Sequence, residues 1–174
     1  MSASTVPEFS RMVAARHLPA EPMTLEASEA ERAALADRFG LSRIDSLTAV
    51  ITLAPDGEAV LASGPLKASF QQACAISGND FPNRIDEVLQ LRFVPPAPPA
   101  GPDEEIELEA GELDEVEYEG EQFDLGEAIA QGFGLAIDPY ATGPDADRVR
   151  QEAGLSDEAA SGPFAALAAL KKDN

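Results

Sequence analysis

The sequence predicts an α+β fold: a mostly antiparallel sheet, or a partial barrel, of about six to eight strands with three helices. Three observations predict it. Segments rich in β-branched residues follow one another between residues 46 and 94 with turn signals between them. Two capping patterns, Ser28-Glu-Ala-Glu31 and Asp124-Leu-Gly-Glu127, each open a helical pattern. The order runs strands first and helices later, without an internal repeat. The 174 residues suffice for one domain with a sizeable core, and residues 1–174 are read as a single domain.

Each element has its own warrant. Glu8 to Ala15 reads as a first strand, and Pro19 and Pro22 break the chain after it. At Ser28 the hydroxyl is expected to cap the first helix while Glu31 reaches back to the backbone. That helix runs to about Phe39, with Leu35 and Phe39 four apart on one face, and Gly40 suits the left-handed position that ends it. Ser46 to Ala54 and Glu58 to Ser63 flank Pro55-Asp56-Gly57, which predicts a hairpin. Gly64-Pro65 reads as punctuation. From Leu66 to Ile76 the pattern alternates, with Leu66, Ala68, Phe70, Cys74 and Ile76 on one face and Gln72 as the exception. A turn at Gly78-Asn-Asp80 leads to a strand from Arg84 to Val94.

The prolines between Pro95 and Pro102 remove too many N–H donors for a regular ladder. With the acidic stretch that follows, they make 95–122 the expected mobile segment. Ile106 to Glu109 and Glu115 to Tyr118 are read as two short strands within it. Beyond Asp124, Leu125, Ala128, Ile129, Gly132, Phe133, Ala136 and Ile137 keep helical spacing on one face, and Asp138-Pro139 ends the helix. Thr142 to Gly162 reads as loop. Pro163 opens a last short helix, PFAALAALKK, whose Lys171 and Lys172 suit the negative end of its dipole.

Charge is the unusual feature. There are 32 acidic against 12 basic residues, a formal net charge of −20. Half of the acids, 16, lie between Phe93 and Asp147, where there is no Lys or Arg, so the rest of the chain carries only −4. A field of that sign repels phosphate backbones and attracts basic proteins. Naked nucleic acid is therefore expected to bind weakly at best. No stretch approaches the roughly 18 apolar residues of a membrane span, and no Sec-type signal is read at the N-terminus. One cysteine suits a reducing compartment. The expectation is a cytoplasmic protein.

Residues that could carry chemistry are few. Cys74 is the only cysteine and His17 the only histidine, too few for a structural zinc site of about four ligands. Cys74 is expected to be a buried, inert residue in an apolar strand face. No nucleophile elbow or Gly-rich phosphate loop is present. Carboxylates abound from Asp103 to Asp124 without the frame of a calcium loop. The composition alone reads as an acidic non-enzyme without cofactor or metal.

Several pieces in order resemble the large ribosomal RNA subunit accumulation family (YceD), in its alphaproteobacterial-type branch. They are Glu8-Phe-Ser-Arg11, Glu26 to Arg32 with Leu35-Ala36, and Arg38-Phe-Gly-Leu41; then Gly64-x-Leu66-x-Ala68 leading to Gln72-x-Cys74. Phe93-Val-Pro95, the acidic tract, Phe123-Asp-Leu125, Leu135-x-Ile137-Asp-Pro-Tyr140 and Pro163-Phe-Ala-Ala-Leu167 follow. The resemblance implies a role in the production or stability of large-subunit ribosomal RNA, hence in ribosome assembly, and no catalytic residue. Many members carry a second cysteine three residues after the first, where this chain has Ser77, so two-thiolate chemistry is closed to it. Within that role, Glu112, Asp114, Glu115, Glu117 and Glu119 are the candidate contacts for a basic ribosomal protein or pre-ribosomal particle. The competing routes are an RNA-processing enzyme, or direct ribosomal RNA binding through Arg43, Lys67, Arg84 and Arg92, with Arg11 and Arg16 as further cations.

Overall fold

The protein is described by a computed structural model over residues 8–96 and 114–154. In chain order the elements are β1 (Met12–Ala14), β2 (Met23–Glu26), α1 (Glu29–Phe39), β3 (Arg43–Asp56), β4 (Ala59–Ala73) and β5 (Asp80–Val94). Then come β6 (Asp114–Glu117), β7 (Gln122–Asp124), α2 (Leu125–Ala136) and α3 (Ala146–Glu152). A five-stranded sheet has the order β2-β3-β4-β5-β6, and β1 pairs with β7 in a two-stranded ribbon. All pairings are antiparallel except β5 with β6. Among the described residues the sheet is open, with β2 and β6 at its edges. The α+β class is as the sequence predicts.

Both capping patterns form. The Ser28 hydroxyl accepts from the Glu31 N–H, and a Glu31 carboxylate oxygen accepts from the Ser28 N–H at 2.8 Å. Gly40 adopts φ 65°, and α1 ends there. Asp124 caps α2 by accepting from the Glu127 N–H at 3.1 Å. Glu127 does not complete the box: its carboxylate is claimed by Arg38 at 2.9 and 2.8 Å.

The core lies between one face of the sheet and α1, α2 and the β1–β7 ribbon. Alternation on β4 buries Val60, Ala62, Leu66, Ala68 and Phe70, opposed on β3 by Ile44, Leu47, Ala49, Ile51 and Leu53. Phe133 of α2 meets Phe39 and Phe70 edge-on, each at 5.6 Å between centroids. Phe93 stacks on Phe123 at 4.1 Å, tying the sheet to the ribbon. Such pairs add about 0.5–1.5 kcal/mol each beyond the area they bury.

Several boundaries differ from expectation, each for a local reason. The first strand spans only Met12–Ala14, because Phe9 turns wholly into the core before it. β2 is absent from the sequence reading: of its four residues only Leu25 is buried, too little for a period. Gly64-Pro65 does not end a strand. Pairing with β5 continues through Gly64↔Leu89 and Pro65↔Val88, and only the β3 ladder is interrupted, between Ala49↔Leu66 and Thr52↔Ser63. The alternating strand stops at Ala73, and Ile76 is exposed in the turn beyond it. Residues 146–152, expected as loop, form α3, which buries little but Ala146 and is supported by Arg148–Glu152 at 2.9 Å. Within 95–122, Asp114–Glu117 pair as β6, as expected for 115–118. The strand expected over 106–109 and the helix expected from Pro163 lie outside the described residues.

Gln72, the polar exception on the inner face of β4, is 4% exposed. Its amide nitrogen donates to the Asp138 carbonyl at 2.9 Å, and its oxygen accepts from the Asn83 amide at 3.3 Å. A buried amide is tolerated only when so partnered. Here it pins the chain leaving α2 to the end of the central strand β4.

Candidate functional site

The acidic tract meets the fold at β6. Its parallel register puts Val116 against Phe93, while Glu115 lies beside Arg92 and Glu117 beside Val94. Tyr118 continues inward, its N–H donating to the Val94 carbonyl at 3.0 Å and its ring 5.8 Å from that of Phe123. The apolar residues between the acids are therefore anchors. They hold Glu115, Glu117 and Glu119 outward at the alternate positions, while Asp114 opens the strand on the Val116 side; all four are exposed along a sheet edge. Four of the five predicted acidic contacts thus share one solvated strand and the turn after it; Glu112 lies outside the described residues.

The predicted cations also assemble. Arg43, Lys67, Arg84 and Arg92 all project from the sheet face opposite the core, because they sit at the alternate positions to Ile44, Ala68, Ile85 and Phe93. Ser46, Thr48, Thr52, Ser63, Ser69 and Gln90 share that face. Lys67 pairs with Asp86 across the ladder at 3.3 Å, and Arg43 with Asp45 at 2.6 Å. Arg84 has no ion pair among the described residues. Arg92 joins the two sets, bonding Glu115 at 2.6 Å and Asp56 at 3.1 Å; these acids raise its pKa, Glu115 foremost. Exposed pairs of this kind are worth about 0–1 kcal/mol each, so they leave the cations available to a partner.

Arg11 is withdrawn from that role. Its guanidinium grips Glu31 at 2.7 and 3.1 Å, donates to the Ser10 carbonyl, and lies over the Phe9 ring. The Arg11 hydrogen bonds hold the Glu31 carboxyl at a pKa of about 2. Arg38 likewise clamps Glu8 at 3.0 Å and Glu127, whose pKa it lowers. Asp124 accepts from the Ser10 hydroxyl at 2.6 Å and the Arg11 N–H at 2.8 Å. The motif residues Glu8, Arg11, Glu31, Arg38 and Asp124 therefore fasten the N-terminal segment, α1 and α2 to one another. Sequence spacing gave no sign of these partners, which lie 20 to 114 residues apart.

Cys74 is buried as expected, 3% exposed, but it sits one residue past β4 rather than within it, and its environment is not inert. The Ser77 hydroxyl and N–H, with the Gly143 and Ile76 N–H groups, point at its sulfur; the Ile76 and Ser77 nitrogens lie 3.4 and 3.3 Å away. Together they bring the thiol pKa down to about 6, Ser77 contributing most and burial opposing. Ser77 thus serves as hydrogen-bond donor where a second cysteine would stand. Such a thiolate favours the folded state above the ordinary thiol pKa of ~8.5, and that contribution is lost as pH falls through about 6. The stability gap between wild type and Cys74→Ala should therefore widen from pH 6 to pH 8.5. Native ultraviolet titration should show thiolate with a midpoint near 6, and a midpoint at the ordinary value would refute the turn geometry as its cause.

Among the described residues no three His, Cys, Asp or Glu side chains gather as a metal site, and no helix is long and apolar enough to cross a membrane. No curated protein and no solved structure matches the chain. The model of the family described as large ribosomal RNA subunit accumulation protein YceD matches residues 62–171. That stretch covers most of β4, β5, the acidic edge, the second capped helix and Cys74. With more than half of its length matched, the chain belongs to the YceD family, whose name ties it to the accumulation of large-subunit ribosomal RNA.

Proposed function

We propose that this protein is a non-enzymatic, cytoplasmic ribosome-assembly factor that holds a basic ribosomal protein, or a pre-ribosomal particle presenting one, against its acidic edge. The observation that carries the reading is β6. Its Val116 turns inward, its alternate positions carry Glu115 and Glu117, and with Asp114 at its start and Glu119 and Glu121 in the turn that follows it presents five exposed acids. Ribosomal RNA accumulates when its protein partners reach it, and basic proteins are prone to stray binding before they do. An acidic edge speeds encounter with such a protein and shields its charge. Solvated carboxylates in a row suit this task, whereas acid–base catalysis needs carboxylates in differing, partly desolvated settings.

A second reading has its own observation. Arg43, Lys67, Arg84 and Arg92 share the open sheet face within a chain of net charge −20, three of them paired with acids and Arg84 with no ion pair among the described residues. Direct contact of that face with ribosomal RNA phosphates is the alternative.

One variant separates the two. Glu112, Asp114, Glu115, Glu117 and Glu119 are neutralised together to Gln or Asn, and binding is followed against basic ribosomal proteins and against ribosomal RNA at low and high salt. The acidic-edge reading expects the on-rate for the protein to fall about ten- to hundredfold at low salt, and its salt dependence to flatten. The RNA reading expects tighter RNA binding once the repelling charges are gone. Tight RNA binding by the wild type, with no basic protein bound at low salt, would overturn the first reading.

A further inference from the structure

Between α2 and the β5–β6 edge runs a groove of about 720 Å³. Leu89, Val116, Leu135 and Ile137 line it, with Glu87 and Asp114 on its rim. Leu135 is 83% exposed although it stands near the end of a helix whose other large side chains are mostly buried. Its outward position on α2 leaves an apolar wall without an occupant among the described residues.

We propose that this groove is the seat of the chain's own segment Pro163–Lys172. Three features favour that occupant. The segment carries Phe164, Leu167 and Leu170 at three-residue spacing, which in a helix forms one apolar stripe about 120° wide. At ten residues it is shorter than the ~12–15 that a helix needs to persist alone in water, so it requires a surface to fold on. Its Lys171 and Lys172 complement Glu87 and Asp114, the acids on the groove's rim. The linker is long: α3 ends at Glu152, and the nine-residue step from Gly154 to Pro163 spans up to about 30 Å, the diameter of a small domain. The family match runs to residue 171, through this segment.

The test uses the full chain at concentrations where it is monomeric, by amide hydrogen exchange and by a photo-crosslinking residue at position 167. Amides of 164–172 are expected to exchange about tenfold or more slowly than in an unstructured chain. Leu135→Asp should abolish that protection while β3, β4 and β5 keep theirs, since Leu135 is exposed and supports no strand. Leu167→Asp should have the same effect from the other side without touching the sheet. The crosslink should join residue 167 to 131–138 or 114–116 of the same molecule. Unstructured exchange rates in the wild type would overturn the proposal. So would protection that survives Leu135→Asp, a crosslink to any other surface, or a crosslink that joins two copies.

Discussion

Gly64→Ala is expected to cost about 3–5 kcal/mol or more, a large share of the ~5–15 kcal/mol that holds a typical domain folded. The reason is space. A Cβ built on Gly64 would lie 1.9 Å from the Val50 carbonyl oxygen and 2.9 Å from its carbon, both backbone atoms. Neither can move without pulling β3 away from β4 at the centre of the sheet. Val50 also pairs with Thr24, so β2 would be disturbed as well. Gly40→Ala is the control. Gly40 has φ 65° with nothing within 4 Å of its Cβ, so it should lose only the ~1 kcal/mol of a left-handed conformation. Urea unfolding of the two variants checks the contrast, and equal losses would mean that crowding at Gly64 relaxes.

Asp124→Ala should be the most damaging polar substitution, at about 3 kcal/mol. One carboxylate there serves three donors: the Ser10 hydroxyl, the Arg11 N–H and the Glu127 N–H. Loss of the helix cap alone costs ~1 kcal/mol. The other two bonds are to a charged, half-buried acceptor and count for more than neutral ones. Asp124→Asn keeps an oxygen for the two N–H groups and should lose about 1 kcal/mol. Amide exchange gives the location as well as the size. Met12–Ala14 pair with Gln122–Asp124, so protection should fall first in β1 and β7 and at the start of α2. Uniform loss across the central sheet would place the role of Asp124 elsewhere.

For the proposed function, the consequence of this architecture is a division of surfaces. The N-terminal clasp of Arg11, Arg38, Asp124 and their carboxylates is committed to holding helices and ribbon together. Among the described residues, the β6 acids and the four cations on the open face lie outside that clasp. Arg92 and Glu115 join the two groups, so occupancy of one surface can alter the other.

The sequence by itself determined what depends on neighbours in the chain. Ser28 with Glu31, Asp124 with Glu127, Gly40, and the hairpin around Pro55-Asp56-Gly57 act within a few residues, through local hydrogen bonds and backbone sterics. The outward acids Glu115, Glu117 and Glu119 were legible too, because Val116 and Tyr118 alternate with them. Tertiary structure alone decided the rest. That Arg43, Lys67, Arg84 and Arg92 share a face follows from strand register, which long-range packing sets. Strand β6 pairs parallel to β5, and the nineteen residues between them in sequence exceed the dozen or so that a parallel connection needs. Cys74 looked inert because its donors Ser77 and Gly143 come from a turn and from a segment some seventy residues away. Short elements with one buried side chain, β2 and α3, carry too little period to read; they form because the neighbouring sheet supplies the pairing and the surface.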